Sequence, residues 1–297
     1  MKPSVLPALI LAKLGSCLGD ISGFARIAHG EESQAYCFRI GDKAYIVRLN
    51  QSLEGFEKDT FAHRRFARPN LPIPEIIQIG QIDHHFFCIS EKMPGVTLQD
   101  LSPEELPLVL EPTARVLRAI AESELGGTSG FGPFNANGVG EYESWRDFLN
   151  SIAHDPRYDW PAVSRLLRTD KIKPLLEWLT GLVEQCPEIR GLVHGDFGSN
   201  NVLTDGSRIT GIVDWSEALI GDPLYDLANI FFWRTWLECM EYQARYFETD
   251  PSTSSKASVR LLCYQLRIGL AEVYQNAIEG RIDVAAWALA RCRVVNG

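Results

Sequence analysis

The stretch LVHGDFGSNNVLTDGSRITGIVDW, residues 192–215, sets Asp196, Asn201 and Asp214 at the ends of short apolar runs. DGSR at 205–208 is a turn signal between NVLT and ITGIVDW, so the two runs are expected to pair as antiparallel strands. A turn centred near Gly206 puts Asn201 opposite Ile212, with Asp214 slightly beyond at the same end of the ribbon. Asp196 lies on the segment leading into the first strand, so the three side chains can converge. Buried carboxylates repel one another and cost free energy unless a cation lies between them. Two aspartates and an asparagine supply hard oxygen ligands of the kind Mg2+ accepts, with water and phosphate oxygens completing the octahedron. Three polar turn residues with no common ion are the plainer alternative, and the triplet HGD alone does not separate the two.

The chain around this stretch divides in two. Residues 24–50 read as strands, QAYCFRI and AYIVRLN about a GDK turn, followed by the helical EGFEKDTFAHRRFA, which RPNLPIP stops. IIQIGQ and HHFFCIS read as a further strand pair. From MPGVTLQDLSPEEL onward helices are expected over 103–122, 143–154, 171–186, 223–247, 257–278 and 282–293, with 201–214 the exception. The fold class is α+β, with an N-terminal unit over 1–92 and a C-terminal unit over 93–297 meeting near Pro94 and Gly95. A cleft between such units is the default place for a ligand. The glycine-rich GGTSGFGPFNANGVG, 126–140, lacks the G-K-[ST] ending and the strand-loop-helix context of a phosphate loop, and reads as an exposed connection.

A length of 297 residues accommodates one large or two modest cores, and 45% hydrophobic with 23% charged residues is ordinary for a soluble protein. The net charge of -9 argues against nucleic acid or an anionic membrane surface as partner and is compatible with a cationic small molecule. Seven cysteines without a C-x-x-C pair read as reduced thiols in a cytoplasmic protein. In MKPSVLPALILAKLG the apolar run is interrupted by Lys13 and no cleavage signal follows. The segment is therefore expected to be an amphipathic helix with Val5, Leu6, Leu9, Leu14 and Leu18 on one face. No run is long enough to span a bilayer.

HGDFGSNN fits H-x-D-x-x-x-x-N through His194, Asp196 and Asn201, and an apolar strand delivers Asp214 thirteen residues later. This resembles the catalytic and metal-binding segments of protein-kinase-like phosphotransferases; the glycine at 195, with IVDW in place of D-F-G, resembles their aminoglycoside phosphotransferase branch. GEES, GVTLQDL, TSGFGPF, DFGSNNVLTD, DWSEA, ANIFFWR and LRIGL carry the likeness from about residue 30 to about residue 270. The resemblance implies a protein-kinase-like two-lobe fold: a small antiparallel-sheet N-lobe with one helix and a larger, mainly helical C-lobe. It implies transfer of the γ-phosphoryl of ATP or GTP to a hydroxyl of a small cationic aminoglycoside of the aminocyclitol class, with Mg2+ as cofactor. A monomer is expected.

By the family pattern Asp196 orients the acceptor hydroxyl and takes its proton, Asn201 and Asp214 hold Mg2+, and His194 supports the loop. YIVRLN carries Arg48 where protein kinases have a strand lysine, keeping the charge but presenting a planar fork. Phe56, Asp59, His63 and Phe66 share one helical face, so Asp59 points with the apolar side and is the expected partner of Arg48. AHGEESQAYCF has one glycine, Gly30, and Ser33 is its candidate phosphate contact. CISEKMPG is the expected hinge, where backbone from Ser90 to Met93 would read the base edge without separating ATP from GTP.

On the acceptor side Glu217 is the expected acidic contact. Asp222, before Pro223, reads first as a helix N-cap that can also touch ligand, and Asp226 gains from the helix dipole. Trp233 is carried as a sugar-facing candidate, although it and Trp236 fall at a helical spacing more typical of core. Competing readings are a kinase of another hydroxylated metabolite (sugar, homoserine or choline) and a nucleotide-binding pseudokinase. The presence of Asp196, Asn201 and Asp214 speaks against the pseudokinase.

Overall fold

Five antiparallel strands open the chain in the computed structural model, which describes residues 5–27, 34–249 and 258–294. They are β1 (Ser22–Arg26), β2 (Gln34–Ile40), β3 (Lys43–Asn50), β4 (Ile76–Ile82) and β5 (His85–Glu91), in the order β1-β2-β3-β5-β4. Successive side chains of a strand face opposite ways, and β3 uses this directly. Val47 and Leu49 are buried with Tyr36, Phe38, Phe87 and Ile89 on one face, against helix α1 (Pro7–Leu18). Arg48 and its cross-strand partner Cys88 turn to the other face, toward helix α2 (Glu54–Phe66).

The N-lobe carries the helix packed on its sheet, α2, and the N-terminal helix expected separately, α1. The buried positions of α1 differ from those expected. Ile10 and Leu14 are buried with Val5, whereas Leu6 and Leu9 are 64% and 44% exposed. Pro7 starts the helix, which leaves Leu6 outside it, and the i, i+4 pair Ile10 and Leu14 then defines the inward stripe.

The C-lobe begins with the short strand β6 (Val96–Thr97) and helix α3 (Leu106–Ala121). The glycine-rich 126–140 segment is no exposed connection: it holds the hairpin β7 (Phe131–Phe134) and β8 (Gly140–Tyr142), with Phe134 buried. Strands this short give no legible alternation. Helices α4 (Trp145–His154), α5 (Trp160–Leu166) and α6 (Ile172–Val183) follow, and α5 was not expected. Its start is capped by Asp159, which accepts from the amide of Ala162 at 2.9 Å.

After β9 (Gly191–Val193), β10 (Val202–Thr204), β11 (Ile209–Ile212) and β12 (Leu219–Gly221) come α7 (Leu224–Trp233), α8 (Glu238–Glu248), α9 (Ser258–Ile278) and α10 (Ile282–Val294). The single helix expected over 223–247 is thus two. The amides of Trp236 and Leu237 fold back onto the carbonyl of Trp233, and Arg234 holds the corner by pairing with Glu241 and Glu248 at 2.6 and 2.5 Å. Apolar periodicity runs through this corner, so the break leaves no mark in it.

One C-lobe core packs Trp145, Tyr264 and Phe232 among α4, α6, α7 and α9. A second lies under the 192–215 stretch, where Phe197, Trp215 and Leu227 share a cluster with Ala62 and Phe66 of the N-lobe helix α2. Side chains of this size contribute roughly 2–3 kcal/mol each when buried, so α2 is anchored to the larger lobe as well as to its own sheet. No described helix is long and apolar enough to cross a membrane.

Candidate active site

Two strand pairings bring the polar residues of 192–215 together. β10 pairs β11 with Val202 opposite Ile212 and a bulge between Leu203 and Thr204. The register is therefore one residue away from the expected Asn201–Ile212 pairing. The cause lies in the turn, where Thr204 donates its hydroxyl to the Arg208 carbonyl at 2.7 Å and accepts from the Gly206 amide at 3.0 Å. The Val213 amide then donates to the Asn201 carbonyl at 3.0 Å, which keeps Asn201 and Asp214 at one end of the ribbon. Separately, β9 pairs β12 with Val193 opposite Leu219, so the segment entering Asp196 lies beside the one leaving Glu217. Gly195, at φ +86, sits in that approach, where a Cβ would collide with the Glu217 carbonyl.

The loop carrying Asp196 is fastened from below. Asp226, on the first turn of α7, accepts from the amides of His194 and Gly195, both at 2.8 Å. Burial pushes its carboxyl up to about 7, against the pull of those two amides. His194 is fully buried; its Nδ1 accepts from the Asp196 amide at 3.3 Å and its Nε2 meets the Val213 carbonyl at 3.1 Å. Those partners select the neutral Nε2–H tautomer. Burial lowers its pKa to about 4, with the Val213 carbonyl and Asp214 acting in the other direction. A ring so held braces the loop and does not exchange protons at neutral pH. Asn229 adds a bond of 3.2 Å to the Phe197 carbonyl.

Asn201 donates its amide to both the carbonyl and the carboxylate of Asp196, at 3.0 and 2.8 Å. Burial, then the charges of Asp214, Glu217 and Glu272, push the Asp196 carboxyl up to about 7, and the Asn201 amide opposes them. A carboxylate poised near neutrality suits a group that must take a proton from an alcohol. Asp214 is one of three non-glycine residues at positive φ among the described residues, at φ 61 and ψ 72. Aspartate tolerates this left-handed conformation better than most residues, but the neighbours must still hold it.

The charged ones among those neighbours belong to the N-lobe. Arg48 of β3 forms an ion pair with Asp59 of α2 and reaches Asp214 Oδ1 at 3.6 Å. Burial works against the guanidinium charge, but Asp59 and Asp214 keep it firmly protonated. Burial likewise pushes Asp59 up while Arg48 pulls it down, and the other oxygen of Asp59 accepts the Trp215 amide at 2.8 Å. Ser33 lies outside the described residues.

Ser90 is buried in β5, and the amides of Glu91 and Lys92 donate to the carbonyls of Glu75 and Ala44 at 2.9 and 3.0 Å. Two amides of the hinge are therefore already used within the lobe. Met93 packs on Gly211 of β11, where a Cβ would come within 2.7 Å of the Met93 Cβ.

The acceptor-side candidates separate. Glu217 is exposed at the end of the 3-10 turn Trp215–Glu217, within electrostatic reach of Asp196. Glu272 of α9, which carried no sequence signal, also acts on Asp196 through its charge and is held by the Asn276 amide at 3.0 Å. Asp222 is not brought to this group. It is buried and accepts from Arg260 Nε at 2.8 Å, from Tyr264 at 2.8 Å and from the Leu224 amide at 3.1 Å. Trp233 is half-buried and stacks on Trp287 at 5.1 Å, with the 49% exposed Trp236 also 4.7 Å from Trp287.

Among the described residues no group of three or more His, Cys, Asp or Glu could hold a metal by itself. Asp214 and Asn201 nevertheless fit Mg2+, which keeps its waters and binds through one or two carboxylates plus substrate phosphates. Asp214 suits that role, since its side chain is 45% exposed.

The sequence model described as the phosphotransferase enzyme family matches residues 23–255. Hygromycin-B 4-O-kinase of Escherichia coli is 46% identical over 296 residues, 99% of this chain and 86% of that protein. A thermostable mutant of aminoglycoside phosphotransferase APH(4)-Ia, in ternary complex with AMP-PNP and hygromycin B, matches with a TM-score of 0.90 at 48% identity, covering 96% of each chain. The GDP complex of wild-type aminoglycoside 2'-phosphotransferase-IIIa matches at a TM-score of 0.65 and 15% identity, covering 97% of this chain and 98% of that one, a likeness of fold alone.

Proposed function

The chain belongs to the phosphotransferase enzyme family, and from that premise we propose that it transfers the γ-phosphoryl group of ATP to the 4-hydroxyl of hygromycin B, inactivating the antibiotic. The observation that carries this reading is the meeting of Asp196, Asn201 and Asp214 beside Arg48, in a chain 46% identical to a hygromycin-B kinase.

Phosphoryl transfer needs positioning and charge neutralisation more than covalent catalysis. Asp196 orients the acceptor hydroxyl and takes its proton, and its raised pKa leaves it able to do so near neutral pH. Asn201 and Asp214 would hold Mg2+, which when bound neutralises the phosphate oxygens. Arg48, kept protonated by Asp59 and Asp214, adds a fixed positive charge at the same place. Met93 and the backbone about Ser90 border the nucleotide base, and Ser33 is assigned to the phosphates. Glu217 and Glu272 give the acceptor side the negative field an ammonium-bearing substrate requires. Trp233, with Trp287 beside it, is assigned to the sugar wall of that side, and Asp222 stays a buried support.

A coupled nucleotide-consumption assay over a panel of aminoglycosides, with simple sugars and choline as controls, tests the reading. Mg2+-dependent consumption with hygromycin B, and product phosphorylated on one hydroxyl, is the expected result. Turnover of a sugar or choline with hygromycin B inert would replace it by the metabolite-kinase reading.

A further inference from the structure

On the face of α2 that meets the C-lobe, Gly55, Lys58, Asp59 and Ala62 follow the i, i+3, i+4, i+7 spacing of a single helical stripe. Lys58 is a lysine that the surface does not claim, being 3% exposed. Its Nζ donates to the Ser216 carbonyl at 2.6 Å and lies 5.4 Å from the centre of the Phe134 ring. Gly55 lets the helix come this close, since a Cβ there would stand 3.1 Å from that of Ser216. Ser216 in turn donates its hydroxyl to Asp214 Oδ1 at 2.8 Å. The next residue on the helix, Asp59, grips the Trp215 amide. The two residues that follow the left-handed Asp214 are thus each held by adjacent side chains of one N-lobe helix.

Burial lowers the Lys58 pKa, while Glu217, Glu54, Glu141 and Asp59 act to raise it. An ammonium among carboxylates yet bonded to a backbone carbonyl is placed to fix backbone, because the carbonyl cannot swing away as a carboxylate side chain can.

We propose that Lys58 is a positioning residue: through Ser216 it locks the turn that presents Asp214, so that docking of α2 on the C-lobe sets the geometry of the metal-binding carboxylate. This rests on the phosphotransferase reading only for what Asp214 binds. The latch itself is a property of the protein without ligand.

The test uses the full chain and two variants. In K58M, amide hydrogen exchange of the ligand-free protein should quicken over residues 214–218, with α9 residues 263–277 unchanged. The Mg2+ concentration giving half-maximal turnover should rise roughly 10-fold to 100-fold, the range expected when a group orienting a metal ligand is removed, while the KM for the acceptor stays within about twofold. S216A keeps the carbonyl that Lys58 grips but lacks the hydroxyl on Asp214, and it should raise the Mg2+ requirement without changing exchange. It also serves if K58M does not fold. Unchanged exchange at 214–218 in K58M, or an unchanged Mg2+ requirement in S216A, would overturn the proposal. Absence of Mg2+-dependent turnover in the unmodified protein would count instead against the phosphotransferase reading, and the exchange comparison would still decide the latch.

Discussion

The side-chain amide of Asn201 donates to the Asp196 carboxylate at 2.8 Å, tying the proposed base to one of the proposed metal ligands. With its nitrogen engaged there, the amide oxygen of Asn201 is the atom left for a cation. Replacing the carboxylate while keeping its shape isolates the proton-accepting role. Asp196→Asn should lower kcat by about 10³-fold, within the range for loss of a general base, and leave nucleotide Kd within about threefold. Steady-state kinetics and calorimetric titration check this, and retained turnover would remove Asp196 from that role.

The Asp214 side chain is 45% exposed, and no described cluster of acids stands ready to replace it. Asp214→Ala should therefore weaken nucleotide binding in the presence of Mg2+ and leave binding in EDTA unchanged. Parallel titrations with and without metal measure the difference. Equal affinities for both proteins in Mg2+ would refute the assignment.

Arg48 and Asp59 form a largely buried pair. Breaking such a pair from one side leaves an uncompensated charge, so Arg48→Met should cost about 3 kcal/mol of stability. Adding Asp59→Asn removes that charge but keeps an oxygen for the Trp215 amide. The double variant should recover at least half of the lost stability in chemical denaturation, yet not the nucleotide KM. Full recovery of both would reduce the pair to a structural one.

His194 titrates at about 4 in the folded protein, against an ordinary value of 6.5. Between those values the unfolded chain binds the extra proton, so this residue's contribution to stability is complete above pH 6.5 and is lost as pH falls toward 4. The loss is on the order of 3 kcal/mol across that window. His194→Gln, whose amide can still donate to the Val213 carbonyl, should remove this rise with pH, so that stability at pH 7 relative to pH 5 is lower than in the parent, where the raised Asp196 and Asp226 carboxyls act in the other direction. An equal slope in both proteins would place the buried titration elsewhere.

Glu217 lies at the open end of its turn. Glu217→Gln should raise KM for hygromycin B severalfold and leave KM for ATP unchanged, because that charge is assigned to the cationic acceptor and not to the nucleotide. An acceptor KM within error of the parent would take Glu217 out of the site.

Much of the architecture was legible from local pattern. The four sheet strands from 34 to 91, the helix over 54–66, the division into two lobes and the pairing of 202–204 with 209–212 all follow from alternation, helical stripes and turn chemistry, which act between residues near in sequence. The Arg48–Asp59 pair was legible too, because an acid on the apolar stripe of a helix demands a partner.

What sequence by itself determined, then, is the periodic elements that carry Arg48, Asp59, Asn201 and Asp214. Tertiary structure alone decided the contacts made across the fold: Lys58 on Ser216, Asp226 under His194 and Gly195, and Asp222 withdrawn into the core with Arg260. It also decided the one-residue slip of the ribbon and the corner between α7 and α8. The contacts depend on hydrogen bonds and burial between segments far apart in the chain, the slip and the corner on bonds within a turn, and no repeat of two or 3.6 residues records either.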